Sequence, residues 1–90
     1  MIYIYKESTI DLSKVTRIYP AALISAGGES ASVSLEWADL KKDQITLQSY
    51  VLICDFDAVG ETPIHRIELR FETKEELFAS MNEIGTILKS

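Results

Sequence analysis

The sequence predicts an α+β fold, an antiparallel meander sheet of four to five strands with one C-terminal amphipathic helix packed on it. Near its end, Ile67, Leu69 and Phe71 alternate with Arg66, Glu68, Arg70 and Glu72, which is the period of a half-buried strand. Directly downstream, Leu77, Phe78, Met81, Ile84 and Leu88 recur at helical spacing and mark one apolar helix face. Thr73 and Glu76 between them have the spacing of a capping box, which lets the helix begin at once. The connections around positions 27, 41 and 60 are too short for crossover helices, so neighbouring strands should run antiparallel.

Ile2 to Lys6 reads as a short strand of β-branched and aromatic residues. Lys6 to Lys14 is polar, with Ile10 and Leu12 as anchors. Val15 to Ile24 fits two patterns. Leu12, Val15, Ile18 and Tyr19 make a helical face that Pro20 would stop, while Val, Thr, Ile and Tyr favour a strand. The strand is the preferred reading, and Pro20 then belongs at a sheet edge or a bulge. Ala26 to Glu29 is a turn, because Gly27 and Gly28 adopt positive φ at no steric cost. Ala31, Val33, Leu35 and Trp37 alternate with Ser30, Ser32, Ser34 and Glu36, as in a one-sided strand anchored by Trp37.

Asp39 to Asp43 is a charged turn. Gln44 to Phe56 is a long strand with Ile45, Leu47, Val51 and Ile53 on one side and Tyr50, Leu52, Cys54 and Phe56 on the other. Its second half should be covered on both faces. Asp57 to Pro63 is a loop, Ile64 to Glu72 the last strand, and Lys74 to Lys89 the helix. Gly85 inside that helix predicts a close helix–sheet approach. In outline the order of elements is similar to pleckstrin-homology-like domains, in which a terminal helix caps a curved antiparallel sheet. That resemblance concerns architecture and implies no function.

Ninety residues suit one domain with a modest core. Apolar residues at 47% and charged residues at 26% are globular proportions, without the signature of disorder. No apolar run approaches the roughly 20 residues that span a bilayer, and the N-terminus lacks the pattern of a signal peptide. Cys54 has no second cysteine to pair with, which suits a reducing cytoplasm. The net charge is −5 and the nine Lys and Arg residues are scattered. A nucleic-acid surface needs a basic stripe, and an anionic membrane makes the same demand, so neither partner is expected.

Val51-Leu-Ile-Cys-Asp55-Phe-Asp57-Ala-Val59 resembles the first motif of the haloacid-dehalogenase-like phosphatases. The resemblance implies Asp55 as nucleophile and Asp57 as general acid/base, with Mg²⁺ at the pair. It covers nine residues. That family is built on a parallel sheet with helical crossovers, whereas here a strand follows after a short loop, and Thr62 to Ser90 leaves no room for the later motifs. Asp55, Asp57 and Glu61 are candidate oxygen ligands for a divalent cation, but they lack the ligand order of a helix–loop–helix calcium site. One His and one Cys cannot complete a zinc site. His65 is expected on a strand surface or half-buried, and Cys54 as an inert buried thiol. Gly27-Gly28 is too short to cradle a phosphate, and no Gly-x-Ser-x-Gly elbow occurs.

Arg66, Glu68, Arg70 and Glu72 fit the wet face of a strand or a recognition strip. Tyr3, Tyr5 and Tyr19 could cluster near the first strand, at an interface or in the core. With no complete catalytic constellation, the expectation is a small non-enzymatic domain that binds another protein or a second copy of itself, without a cofactor. The alternative is a small-ligand or divalent-cation binder using the Asp55 to Glu61 loop. The third strand, with Ser30, Ser32 and Ser34, is weakly guarded at its edge unless the N-terminal strand covers it.

Overall fold

The computed structural model describes residues 1–58, 60–62 and 64–89. Ile2–Tyr5 (β1) and Ser8–Asp11 (β2) form a separate two-stranded antiparallel sheet. Lys6, at φ 53°, supplies the positive φ that a two-residue hairpin turn requires. The strand character of Ser8–Asp11 is hidden in the sequence by its polar outer residues, while Ile10 is fully buried as expected of an anchor. Asp11 then accepts hydrogen bonds from the Ser13 amide and hydroxyl and starts a 3-10 turn at Leu12–Lys14.

The main sheet has four strands: Arg17–Ala26 (β3), Glu29–Val33 (β4), Thr46–Asp55 (β5) and Arg66–Phe71 (β6). All are antiparallel, in the order β4-β3-β5-β6, so β5 returns beside β3. Val15 to Ile24 is therefore mainly strand. Pro20 pairs with Leu52 of β5 but lies beyond the reach of β4, whose pairing begins at Ala22. Its missing N–H thus costs no ladder bond on the open side. Gly27 and Gly28, with φ of 59° and 85°, close the β3–β4 hairpin. The sheet remains open, without closing into a barrel.

The third predicted strand is too long. It stops at Val33, and Leu35–Leu40 form a helix, α1. Ser34 caps this helix by accepting from the Trp37 amide at 3.1 Å. Leu, Glu and Ala in the segment are strong helix formers, and the cap outweighs the alternation. Trp37 consequently stays 41% exposed, and Ala38 takes the buried place. The charged turn shortens to the residues after Leu40. A register shift between Leu23 and Ile24 sets Leu23 against Ser49 but Ile24 against Leu47, leaving Gln48 as the extra residue of a bulge. Leu47 is thereby turned away from the Val51 and Ile53 side, and Ile45 packs with Ala22, Ile24 and Ala38 instead.

The core lies on one face of the sheet. Leu52, Cys54, Leu69 and Phe71 meet Tyr3, Ile10 and Leu12 from the hairpin and Leu77 and Ile84 from the C-terminal helix, α2 (Lys74–Lys89). Tyr5 stacks obliquely on Phe71 with ring centroids 4.8 Å apart. Tyr3 ties the hairpin to α2. Its hydroxyl donates to Glu83 at 3.0 Å and lies 2.6 Å from the Ser80 hydroxyl. Burial, with Glu83 nearby, pushes the Tyr3 phenol above its ordinary value. Tyr19 lies on the opposite sheet face, so the three tyrosines do not cluster.

The buried face of α2 is rotated from the predicted one. Leu77, Ser80 and Ile84 are buried, Met81 and Ile87 pack at the margin, and Phe78 and Leu88 stay exposed. Ser80 replaces an apolar residue because Tyr3 supplies its hydrogen-bond partner. Thr73 does cap the helix, accepting from the Glu76 amide at 3.2 Å. Gly85 serves no close approach, since a Cβ there would meet nothing within 4 Å. Two substitutions should therefore act in opposite directions in urea denaturation. Thr73→Ala should lower stability by about 1 kcal/mol, and Gly85→Ala should raise it by up to about 1 kcal/mol.

Candidate interaction surface

Among the described residues, the hairpin and both helices pack on the same face of the main sheet. On the other, the registers align Arg17, Tyr19, Ala21 and Leu23 of β3 with Asp55, Ile53, Val51 and Ser49 of β5. Arg66, Glu68 and Arg70 of β6 stand beside Asp55, Ile53 and Val51, and Ser32 of β4 stands beside Leu23. The small apolar cluster on this face, Ala21, Val51 and Ile53 flanked by Tyr19 and Leu23, draws on β3 and β5 alone. Over it runs a shallow groove of about 290 Å³ that crosses all four strands. Tyr19, Ala21 and Ile53 form its floor, with Arg66 at one end and Ser32 and Ser34 at the other.

The polar end of the groove is organised by Asp55. Its side chain is 2% exposed, and its Oδ1 accepts from the Arg66 Nε at 2.7 Å. That bond holds the Arg66 guanidinium firmly charged, above its ordinary value. The second oxygen, Oδ2, is buried and has no hydrogen-bond partner among the described residues, and the same holds for the Ser49 hydroxyl farther along the face. Arg17, which opposes Asp55 on β3, lies over the Tyr19 ring at 5.0 Å from its centroid, a cation–π arrangement that leaves Asp55 to Arg66.

Asp57 works on the loop. Its Oδ2 accepts from the amides of Ile64 and His65 at 2.8 and 2.7 Å, and its Oδ1 lies 2.9 Å from the His65 Nδ1. Those bonds, with the His65 ring contact largest, hold the Asp57 carboxyl below its ordinary value of 3.8. His65 is 73% exposed in its side chain and sits just ahead of β6, more open than a half-buried strand residue. Thr16 reinforces the junction by donating to the carbonyls of Asp55 and Asp57.

Asp55 and Asp57 are thus engaged with different partners, and Glu61 is exposed on the loop. Among the described residues no three His, Cys, Asp or Glu side chains gather where they could hold a metal ion. Val59 and Pro63, which belong to the phosphatase-like stretch and to the loop, lie outside the described residues. The strand that carries Asp55 is antiparallel to both neighbours, unlike the parallel setting that the phosphatase resemblance implies. Cys54 faces the core, and burial pushes its thiol up to about 11, with Asp55 adding to the effect. The thiol is therefore protonated and unreactive at neutral pH.

Sequence reasoning identified the mixed-charge strip on β6 but missed the groove. Only the register reveals that Arg17 and Tyr19, far upstream, share a face with Arg66 and Ile53. No helix among the described residues is long and apolar enough to cross a membrane. No protein-family model, curated protein or solved structure matches this chain.

The lowered Asp57 carboxyl gives a pH signature. Because the folded-state value lies below the unfolded one, its stabilisation is complete above the unfolded value and is lost as pH falls through the folded one. The stability difference between wild type and Asp57→Asn should be widest near neutral pH. It should shrink on acidification, as read by urea midpoints between about pH 7 and about pH 3. A second pair of variants tests the Asp55 contact. Arg66→Met strands a buried carboxylate and should cost about 2 kcal/mol, more than Asp55→Asn, which removes the charge in place.

Proposed function

We propose that this chain is a non-enzymatic binding domain that acts by strand addition, taking up a strand of a partner protein or of a second copy at β4. One observation carries the reading. β4 is an edge strand of the main sheet, and the N-terminal hairpin forms a sheet of its own elsewhere. Glu29, Ser30, Ala31 and Ser32 are all exposed. An edge of this kind offers unpaired amides and carbonyls, and proteins normally block it with lysine, proline or a bulge. β4 has only Glu29. The opposite edge, β6, is better guarded: Arg66, Glu68 and Arg70 project from it, and the β1–β2 turn flanks it across a cleft lined by Lys6, Glu7, Glu68 and Arg70.

Strand addition obtains affinity from main-chain hydrogen bonds and selectivity from alternate side chains. The serines and Ala31 suit it, being too small to hinder an approaching backbone. A second copy would pair β4 with β4 about a two-fold axis and join two four-stranded sheets. The expected result is a mass that rises toward the dimer with concentration in light scattering, and a return to monomer on Ser32→Lys. If wild type stays monomeric, and Ser32→Lys leaves capture of lysate proteins unchanged, β4 is not the interaction edge.

A further inference from the structure

The sequence contains three arginines, Arg17, Arg66 and Arg70. The register brings all three to the open face of the main sheet, while all six lysines lie elsewhere. The carboxylates aligned with them on β5 and β6 are Asp55 and Glu68. Asp55 is buried and paired with Arg66, so three arginines against two carboxylates leave this face one positive charge in excess, carried by Arg17 and Arg70 around Glu68. In a chain of net charge −5 this face therefore runs against the overall sign. Arginine is enriched at protein interfaces because its planar fork binds carboxylates in pairs and its stem packs on apolar surface.

We propose that the open face docks an acidic, aliphatic-bearing segment of a partner protein. Its apolar side chains lie in the groove over Tyr19, Ala21 and Ile53, and its carboxylates meet Arg17, Arg66 and Arg70. Charge complementarity selects that occupant over a basic one. The intervening Glu68 and the small number of cations select it over a nucleic-acid backbone, which needs a continuous stripe. Asp55 is a positioning residue. By taking the Arg66 Nε, it directs the two terminal amino groups of the guanidinium to the groove, where a carboxylate can accept from both. Arg17 is held over the Tyr19 ring, so its ordering cost is partly met before a partner arrives.

The proposal rests on the reading of the chain as a binding domain, but it concerns the sheet face and not the β4 edge, so the two can fail separately. The test is fluorescence anisotropy with a labelled peptide of alternating glutamate and leucine, about ten residues long and thus able to cross the groove extended, against its lysine–leucine counterpart. The glutamate peptide should bind saturably and weaken in salt that screens exposed charges. Arg17→Glu with Arg70→Glu should weaken it at least about tenfold. Lys41→Glu with Lys42→Glu makes the same change in net charge away from this face and should leave binding within about twofold. Circular dichroism of each variant ensures that a folded protein is compared.

Absent saturable binding, equal binding of the lysine peptide, or an equal loss in both double variants would each overturn the proposal. A light-scattering mass that doubles through this face, with Arg17→Glu and Arg70→Glu restoring the monomer, would overturn it in favour of a second copy. Loss of peptide binding on Ala31→Lys, an exposed β4 position outside the groove, with full binding retained by Arg17→Glu and Arg70→Glu would sustain the edge and sink the face.

Discussion

β5 is the element on which the rest of the structure depends. From Val51 to Asp55 every residue is buried, by a packed layer on one sheet face, by flanking side chains of the sheet itself on the other, and by a neighbouring strand on both sides. β3 and β6 supply the neighbours. The hairpin and α2 cover Leu52 and Cys54, while Tyr19 and Leu23 flank Val51 and Ile53 on the other side. Each fully buried aliphatic side chain contributes roughly 1.5–3 kcal/mol, so this short segment anchors both layers. Loops, helix caps and turns elsewhere are free to vary around it.

The same strand carries a charge into that buried environment. Asp55 completes the row begun by Val51 and Ile53, and its Oδ1 is satisfied by Arg66 while Oδ2 has no partner among the described residues. A buried acceptor without a donor costs about 1–3 kcal/mol, and a buried ion pair is a poor source of stability in general. An apolar pair would fill the position at less expense. What the pair does fix is Arg66, which is held by its Nε at the end of the groove.

Face and edge offer different chemistry to a partner. β4 presents backbone groups and small side chains, which are tolerant of sequence. The open face presents an apolar floor with Arg66 at one end, and under the proposal it would select by charge and shape. The two meet at Ser32, which lies on β4 and also lines the groove. A strand added at the edge would place alternate side chains beside the groove, so one partner segment could engage both surfaces.

The sequence by itself determined the α+β class, the antiparallel β5 and β6, the cap at Thr73 and the glycine turn at 27–28, because periodicity, capping and positive φ are local properties. It also marked Cys54 as a buried thiol within the apolar run Val51 to Cys54, whereas the burial of Asp55, which as an acidic residue at a strand end reads as solvated, emerges only with Arg66 beside it. The short helix at Leu35–Leu40 was obscured, because alternation and helix propensity conflict there and the Ser34 cap decided between them. The bulge at Gln48, the rotation of α2 toward Ser80 and the separation of Tyr19 from Tyr3 follow from pairing and packing between distant segments. So does the candidate surface. Arg17 and Arg66 are far apart in the chain, and only the ladder through Asp55 places them on one face.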